Sequence, residues 1–135
     1  LVFLNEVIDA LGLTEIYTVH GRAEDLARMP EYREQFDLCV SRAVANAATL
    51  QELTLPFVKK GGISIAWKGP GVADEMTAAK RAAFLLGGTI RGTVDAPIPR
   101  REDWAHVLLL TDKTGVTPKT YPRKAGTPGK KPLGM

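Results

Sequence analysis

The sequence predicts an α/β protein: a doubly wound, mostly parallel sheet whose strands alternate with helices and whose last two strands are antiparallel. Three observations carry this. Segments of helical period alternate with short apolar runs, in the order helix, strand, short helix, strand, helix, strand, helix. Two of the apolar runs, at residues 36–40 and 63–67, are each followed within two residues by a cation, Arg42 and Lys68. The last two apolar runs, at 89–94 and 104–111, are joined by a loop containing Pro97 and Pro99 with no helix between them, which requires antiparallel pairing.

The elements follow in order. Leu1, Leu4, Ile8 and Leu11 recur at helical spacing beside Phe3 and Val7, and Gly12 is a suitable stop, so a helix is expected to about Leu11. EIYTVH at 15–20 is rich in β-branched and aromatic residues and reads as a strand. Residues 21–25 form a turn that opens a short helix through 26–29, stopped by Pro30. Phe36, Leu38, Cys39 and Val40 read as a buried strand covered on both faces. An Ala- and Leu-rich helix is expected over 43–55, halted by Pro56, followed by a Lys59-Lys60-Gly61-Gly62 turn and a strand at 63–67. Residues 74–86 are helical, with Met76, Ala79, Ala83 and Leu86 on one face, and Gly87-Gly88 ends them. Two domain-level units result: a body at 1–114 and a Pro- and Gly-rich arm at 115–135, which is too polar for a core of its own and is expected to lie on the body or to wait for a partner.

Composition narrows the function classes. With 135 residues, 44% hydrophobic and 24% charged, the chain is an ordinary globular domain. Its longest apolar run is too short to span a bilayer, so no membrane partner is expected. The lone Cys39 excludes a disulfide framework and fits a reducing, cytoplasmic setting. The net charge of +3 is unevenly spread: six of 18 basic residues lie from Lys113 onward with no acid among them, leaving 12 bases against 15 acids before it. Such a segment is a candidate polyanion contact. The chain opens in helical period without methionine and reads as the second half of a larger protein.

Arg42 follows a strand, where ligands of open α/β sheets bind. From the residues alone it either serves a ligand or caps the strand and pairs with a carboxylate. His20 has no second ligand nearby in sequence, so no metal site is expected; His106 reads as a hydrogen-bonded core histidine and Cys39 as a small buried hydrophobe. Lys59-Lys60 reads as a solvated turn and the charge-balanced 100–103 as a loop. Glu24, in a first helical turn, would be stabilising without any ligand.

A parallel sheet closed by an antiparallel pair is the Rossmann-like arrangement of class I S-adenosylmethionine (AdoMet) methyltransferases. More narrowly, GRAEDL, FDLCVSRAVA, LPFVKKGG, the strand ending in WKG and the tail KTYPRKAGTPGKKPL, in this order, resemble the bacterial 16S ribosomal RNA guanine-N7 methyltransferases, the glucose-inhibited division protein B family. The resemblance spans essentially the whole chain. The family's usual opening, with its glycine-rich AdoMet loop and acidic strand end, lies outside it, so the fragment alone is expected to bind AdoMet poorly and to be inactive. The resemblance implies AdoMet as cofactor and the 16S rRNA of the small ribosomal subunit as partner. It implies that Ala23 and Glu24 line the adenine side of the cofactor pocket, that Arg42 reaches the cofactor, that Arg22 and Lys68 are basic residues of the pocket, and that Lys68, Arg123, Lys124 and Lys130 face RNA.

Methyl transfer to guanine N7 fits a chain without a catalytic triad or carboxylate pair. N7 has an available lone pair, so the reaction needs alignment at roughly 3 to 3.5 Å and no acid or base. Arginine suits the holding of phosphate, guanine O6 or a carboxylate. A cation pressed on the ring itself would oppose the positive charge that develops there. Two other readings are a non-catalytic RNA-binding module whose tail supplies affinity, and a nucleotide-binding oxidoreductase half-domain. The latter is disfavoured by the antiparallel closure.

Overall fold

A computed structural model of the chain describes residues 1–42, 45–96 and 106–135. Four strands form one sheet: β1 (Phe36–Arg42), β2 (Val58–Lys68), β3 (Gly88–Asp95) and β4 (Val107–Lys113), in the spatial order β1-β2-β4-β3. β1 and β2 are parallel, while β4 inserts antiparallel between β2 and β3. The antiparallel closure expected from the helix-free connection is therefore present. The 100–103 loop and the start of the 104–111 run lie outside the described residues, as do Ala43 and Val44 of the helix expected at 43–55.

The helices are α1 (Val2–Ala10), α2 (Ala23–Leu26), α3 (Ala47–Thr54), α4 (Met76–Leu85) and α5 (Thr127–Lys130). Asn46 starts α3 by accepting a 2.9 Å hydrogen bond from Thr49 N. α3 and α4 cover one face of the sheet. Their alanines, Ala47, Ala79 and Ala83, are fully buried and allow close approach to Ala66 and Leu109 on β2 and β4. Buried hydroxyls on this face are satisfied locally: Ser64 Oγ donates to Thr54 Oγ1 at 3.1 Å and Thr54 Oγ1 to Leu50 O at 2.7 Å.

The opposite face differs from the expectation of a strand covered on both sides. Phe36, Leu38 and Val40 of β1 are 42%, 50% and 67% exposed. The apolar run is real, but among the described residues no helix packs over it. The strand expected at 15–20 is also absent. The segment is extended without ladder pairing, Tyr17 is largely exposed, and Tyr17 and Val19 line an apolar hollow of about 370 Å³ with Phe36, Leu38 and Val40. β-Propensity acts through ladder pairing, and among the described residues no strand pairs with this segment. α1 forms as its period predicts, yet buries none of its residues.

Residues 59–62 are not a turn but part of β2. Two steps along β1, from Phe36 to Leu38, match five along β2, from Val58 to Ile63, so the surplus bulges out, with Gly61 at φ +92°. The 115–135 segment buries more than its composition suggests. Thr117, Pro122 and Pro128 are essentially inaccessible, and the segment lies along α2, α3 and α4. It is bound through polar groups and through isolated apolar contacts, Tyr121 and Leu133 against Leu55, Ala83 and Leu86, which follow no helical or strand period and so escape apolar patterning.

Candidate functional site

The parallel pair fixes the candidate site. β1 and β2 run side by side and end together, with Arg42 opposite Trp67 and Lys68 opposite Val107 at the start of β4. Alternation puts Ile63, Ile65 and Trp67 on the uncovered face and Ser64, Ala66 and Lys68 on the helix-covered one. The two cations that the sequence places at strand ends therefore point to opposite sides.

Arg42 lies over the indole of Trp67, with Cζ 5.7 Å from the ring centroid. The imidazole of His106 meets the same indole at 5.6 Å and 59°. Trp67 Nε1, although buried, has no hydrogen-bond partner among the described residues. Arg42 is exposed and forms no ion pair among the described residues.

Lys68 is 7% exposed and committed to the fold. Its ammonium donates to Ala45 O at 2.8 Å and pairs with Glu75 at 3.1 Å. The same Glu75 carboxylate accepts the Ala47 N–H at the start of α3. Lys68 thus ties the segment leaving β1 to the entrance of α4. Its ammonium is occupied within the fold.

A second polar cluster gathers the other expected residues around the tail. Ala23 opens α2, and Arg22 is exposed with Nη2 3.5 Å from Glu24 Oε2. Glu24 is buried, and its carboxylate accepts the Gly126 N–H at 2.8 Å. Burial pushes its pKa up, but the Gly126 hydrogen bond and the Arg22 charge outweigh this and hold it below the usual carboxylate value. Arg123 grips the fully buried Glu52 through Nε and Nη2, the latter at 2.8 Å, and its backbone N–H reaches the same carboxylate at 2.7 Å. Its hydrogen bond to the Glu52 carboxylate raises the Arg123 pKa. Arg123 therefore staples the tail. Lys124 and Lys130 are exposed. Among the described residues no hydrogen bond or ion pair links this cluster to Arg42.

Two more arginines and one lysine belong to the staple. Arg33 donates to the carbonyls of Thr117, Pro118 and Tyr121, and Arg28 to those of Thr120 and Pro122. Lys113, wholly buried, gives its three protons to Glu34 Oε2, Leu55 O and Val58 O at 3.0, 2.9 and 2.7 Å. Burial lowers its pKa despite the Glu34 partner. Glu34, Glu52, Glu75 and Trp67 are the residues that sequence reasoning does not single out. Only Trp67 carried a signal, through its period-2 alternation with Ile63 and Ile65. His20 is exposed, and burial raises the Cys39 thiol pKa. Among the described residues no cluster of three or more His, Cys, Asp or Glu is arranged to hold a metal ion, and no helix is long and apolar enough to cross a membrane.

Comparison with known proteins bears on this geometry. A family model described as rRNA small subunit methyltransferase G matches residues 1–97. Proteins named ribosomal RNA small subunit methyltransferase G are 49% identical over 131 residues in Clostridium perfringens (strain 13 / Type A) and 46% over 133 in Lactobacillus acidophilus. These alignments cover 97% and 98% of this chain but 54% and 55% of the relatives, so the chain spans about half their length. A solved structure from work on conversion of a disulfide bond into a thioacetal group during echinomycin biosynthesis superposes with a TM-score of 0.54 at 14% identity, covering 82% of this chain and 61% of that one. That likeness concerns the fold alone.

Proposed function

Because the chain belongs to the rRNA small subunit methyltransferase G family, we propose that it serves AdoMet-dependent methyl transfer to N7 of a guanine in the 16S rRNA of the small ribosomal subunit, in the cytoplasm. The observation that carries this reading is Arg42. It stands at the shared carboxyl end of two parallel strands, exposed, with no ion pair among the described residues, in a sheet closed by an antiparallel pair.

The residues fit the cofactor in part. Arg42 offers N–H donors to the AdoMet carboxylate or to an RNA phosphate, and Ala23, half-buried at the start of α2, offers a small apolar surface to the adenine. Glu24 contributes differently from the simplest expectation, since its carboxylate already holds Gly126. It acts by fixing the α2 turn that carries Ala23. When bound, AdoMet supplies an electrophilic methyl group on a sulfonium. The chain supplies alignment and charge placement: Arg42 and Arg22 hold oxyanions, Lys68 fixes the backbone after Arg42, and Lys124 and Lys130 meet phosphates. No side chain need accept a proton, because N7 attacks with its own lone pair.

The test is incubation of the complete gene product with tritiated AdoMet and small subunits unmethylated at N7, followed by borohydride–aniline cleavage of the 16S rRNA. Incorporated label and one new cleavage site are expected. No label, or label without cleavage, refutes the reading.

A second reading, RNA binding without catalysis, is favoured by the exposed Lys119, Lys124, Lys130 and Lys131. Deleting 115–135 would not test it, because Glu24 and Glu52 would lose Gly126 and Arg123 and the body would suffer. Charge reversal at Lys124 and Lys130 is the cleaner probe. Loss of RNA binding on that reversal, in a protein that transfers no methyl, is the outcome this second reading expects; retained binding rules it out.

A further inference from the structure

The arginines of the described structure divide by what occupies their donors. Arg28 and Arg33 spend theirs on tail carbonyls, Arg91 on Asp112 and Arg123 on Glu52. Arg42 is held by neither carboxylate nor carbonyl among the described residues but by the face of an indole. A cation–π contact engages the guanidinium plane and leaves the N–H edges pointing outward. An arginine fixed in this way keeps its whole fork for a ligand, and loses less rotamer freedom on binding than a solvated one.

The register makes the contact structural. Arg42 and Trp67 are directly opposed across the parallel pair, so neither can shift without slipping the sheet. On the far side His106, at the entrance to β4, packs 5.6 Å from the same indole and limits its rotation. Among the described residues Trp67 is held through its ring contacts with Arg42 and His106, and its Nε1 proton finds no acceptor there. A leucine or methionine there would fill the same half-buried position on the sheet but offer no quadrupole.

We infer that Trp67 is a positioning residue: its indole orients the Arg42 guanidinium so that the fork is presented ready-made to an oxyanion at the carboxyl edge of β1 and β2. This rests on the proposed function for the identity of the oxyanion, an RNA phosphate or the AdoMet carboxylate, but not for the existence of the device.

The test uses the whole chain in a Trp104→Phe background, which leaves Trp67 as the sole indole. NMR of the arginine Nε–Hε signals should show Arg42 displaced by the indole ring current, and Trp67→Leu should return it to the position of a solvated arginine. An unmoved Arg42 signal overturns the inference, whatever the methylation assay gives. Binding is then read by NMR in the complete gene product carrying the same Trp67 substitutions, with guanosine 5′-monophosphate against guanosine, and with AdoMet against its decarboxylated form. The pair whose oxyanion matters identifies the source. For that probe Trp67→Leu is expected to weaken binding about tenfold, while Trp67→Phe stays within about threefold, in keeping with the usual strength of a cation–π contact. Equal binding by wild type and Trp67→Leu, or indifference of the wild type to both oxyanions, overturns it. A native-like dispersion of the Trp67→Leu NMR spectrum shows that its loss of binding is not unfolding. Failure of methyl transfer alongside the expected NMR and binding changes would count against the proposed reaction and leave the positioning role intact.

Discussion

The tail cluster and the carboxyl edge of β1 and β2 use the same residue types to opposite ends. In the tail cluster, Arg123, Arg33 and Lys113 are directed inward and saturated by Glu52, backbone carbonyls and Glu34. At the strand ends, Lys68 is likewise consumed by Glu75 and Ala45, whereas Arg42 rests on Trp67 with no carboxylate or carbonyl partner among the described residues. A cation's partner decides whether it builds the fold or serves a ligand. Net charge says nothing of the difference: the six basic residues from Lys113 onward look alike as a run, yet two of them are internal staples.

The comparison is broken most forcefully at Arg123. Arg123→Ala leaves the Glu52 carboxylate buried and uncompensated, and should cost about 3 kcal/mol or more of stability in urea unfolding. A loss under 1 kcal/mol would mean that the pair is as dispensable as a surface bridge.

Glu24 sharpens the same side through pH. Its folded pKa lies below the ordinary 4.5, so the unfolded chain binds its proton first. The stability it contributes is complete above 4.5 and is lost as the pH falls through the lower, folded value. In Glu24→Gln this part of the acid-side slope should vanish while stability near neutrality drops by about 1 kcal/mol, the worth of a charge-assisted hydrogen bond. An unchanged acid slope would show that Glu24 does not carry the tail contact.

The exposed cations give the smallest effect on the fold. Lys124→Ala with Lys130→Ala should leave the unfolding midpoint within about 0.5 kcal/mol and reduce the slope of log K against log salt for RNA by about 1.5, near 0.7 for each single-strand phosphate that is no longer neutralised. A large stability loss would return these lysines to the staple, and an unchanged salt slope would remove them from the RNA surface.

The fold was readable from the sequence wherever a single rule decided it. The absence of a helix between the last two runs required antiparallel strands, and the position of Arg42 after an apolar run placed it at a strand end. What the sequence did not convey depended on partners distant along the chain. Residues 15–20 have strand propensity but no strand beside them, and β1 has the apolar run of a sandwiched strand with one face open. The fates of Arg42 and Lys68 were set by alternation: one residue of offset sends Arg42 to the open face and Lys68 to the helix layer. The proposed roles of Arg22, Ala23, Lys124 and Lys130 come from resemblance, and the structure adds only where they stand.

The tail cluster also has a consequence in time. Glu24 and Glu52 find their partners 102 and 71 residues further on, at Gly126 and Arg123. During synthesis α2 and α3 must therefore wait for the 117–131 segment, with Glu24 short of a hydrogen bond and Glu52 of its counter-charge in what will become the interior. The body is thus expected to stay loose, and open to chaperones, until that segment leaves the exit tunnel. The late segment closes the structure that the earlier elements have only outlined.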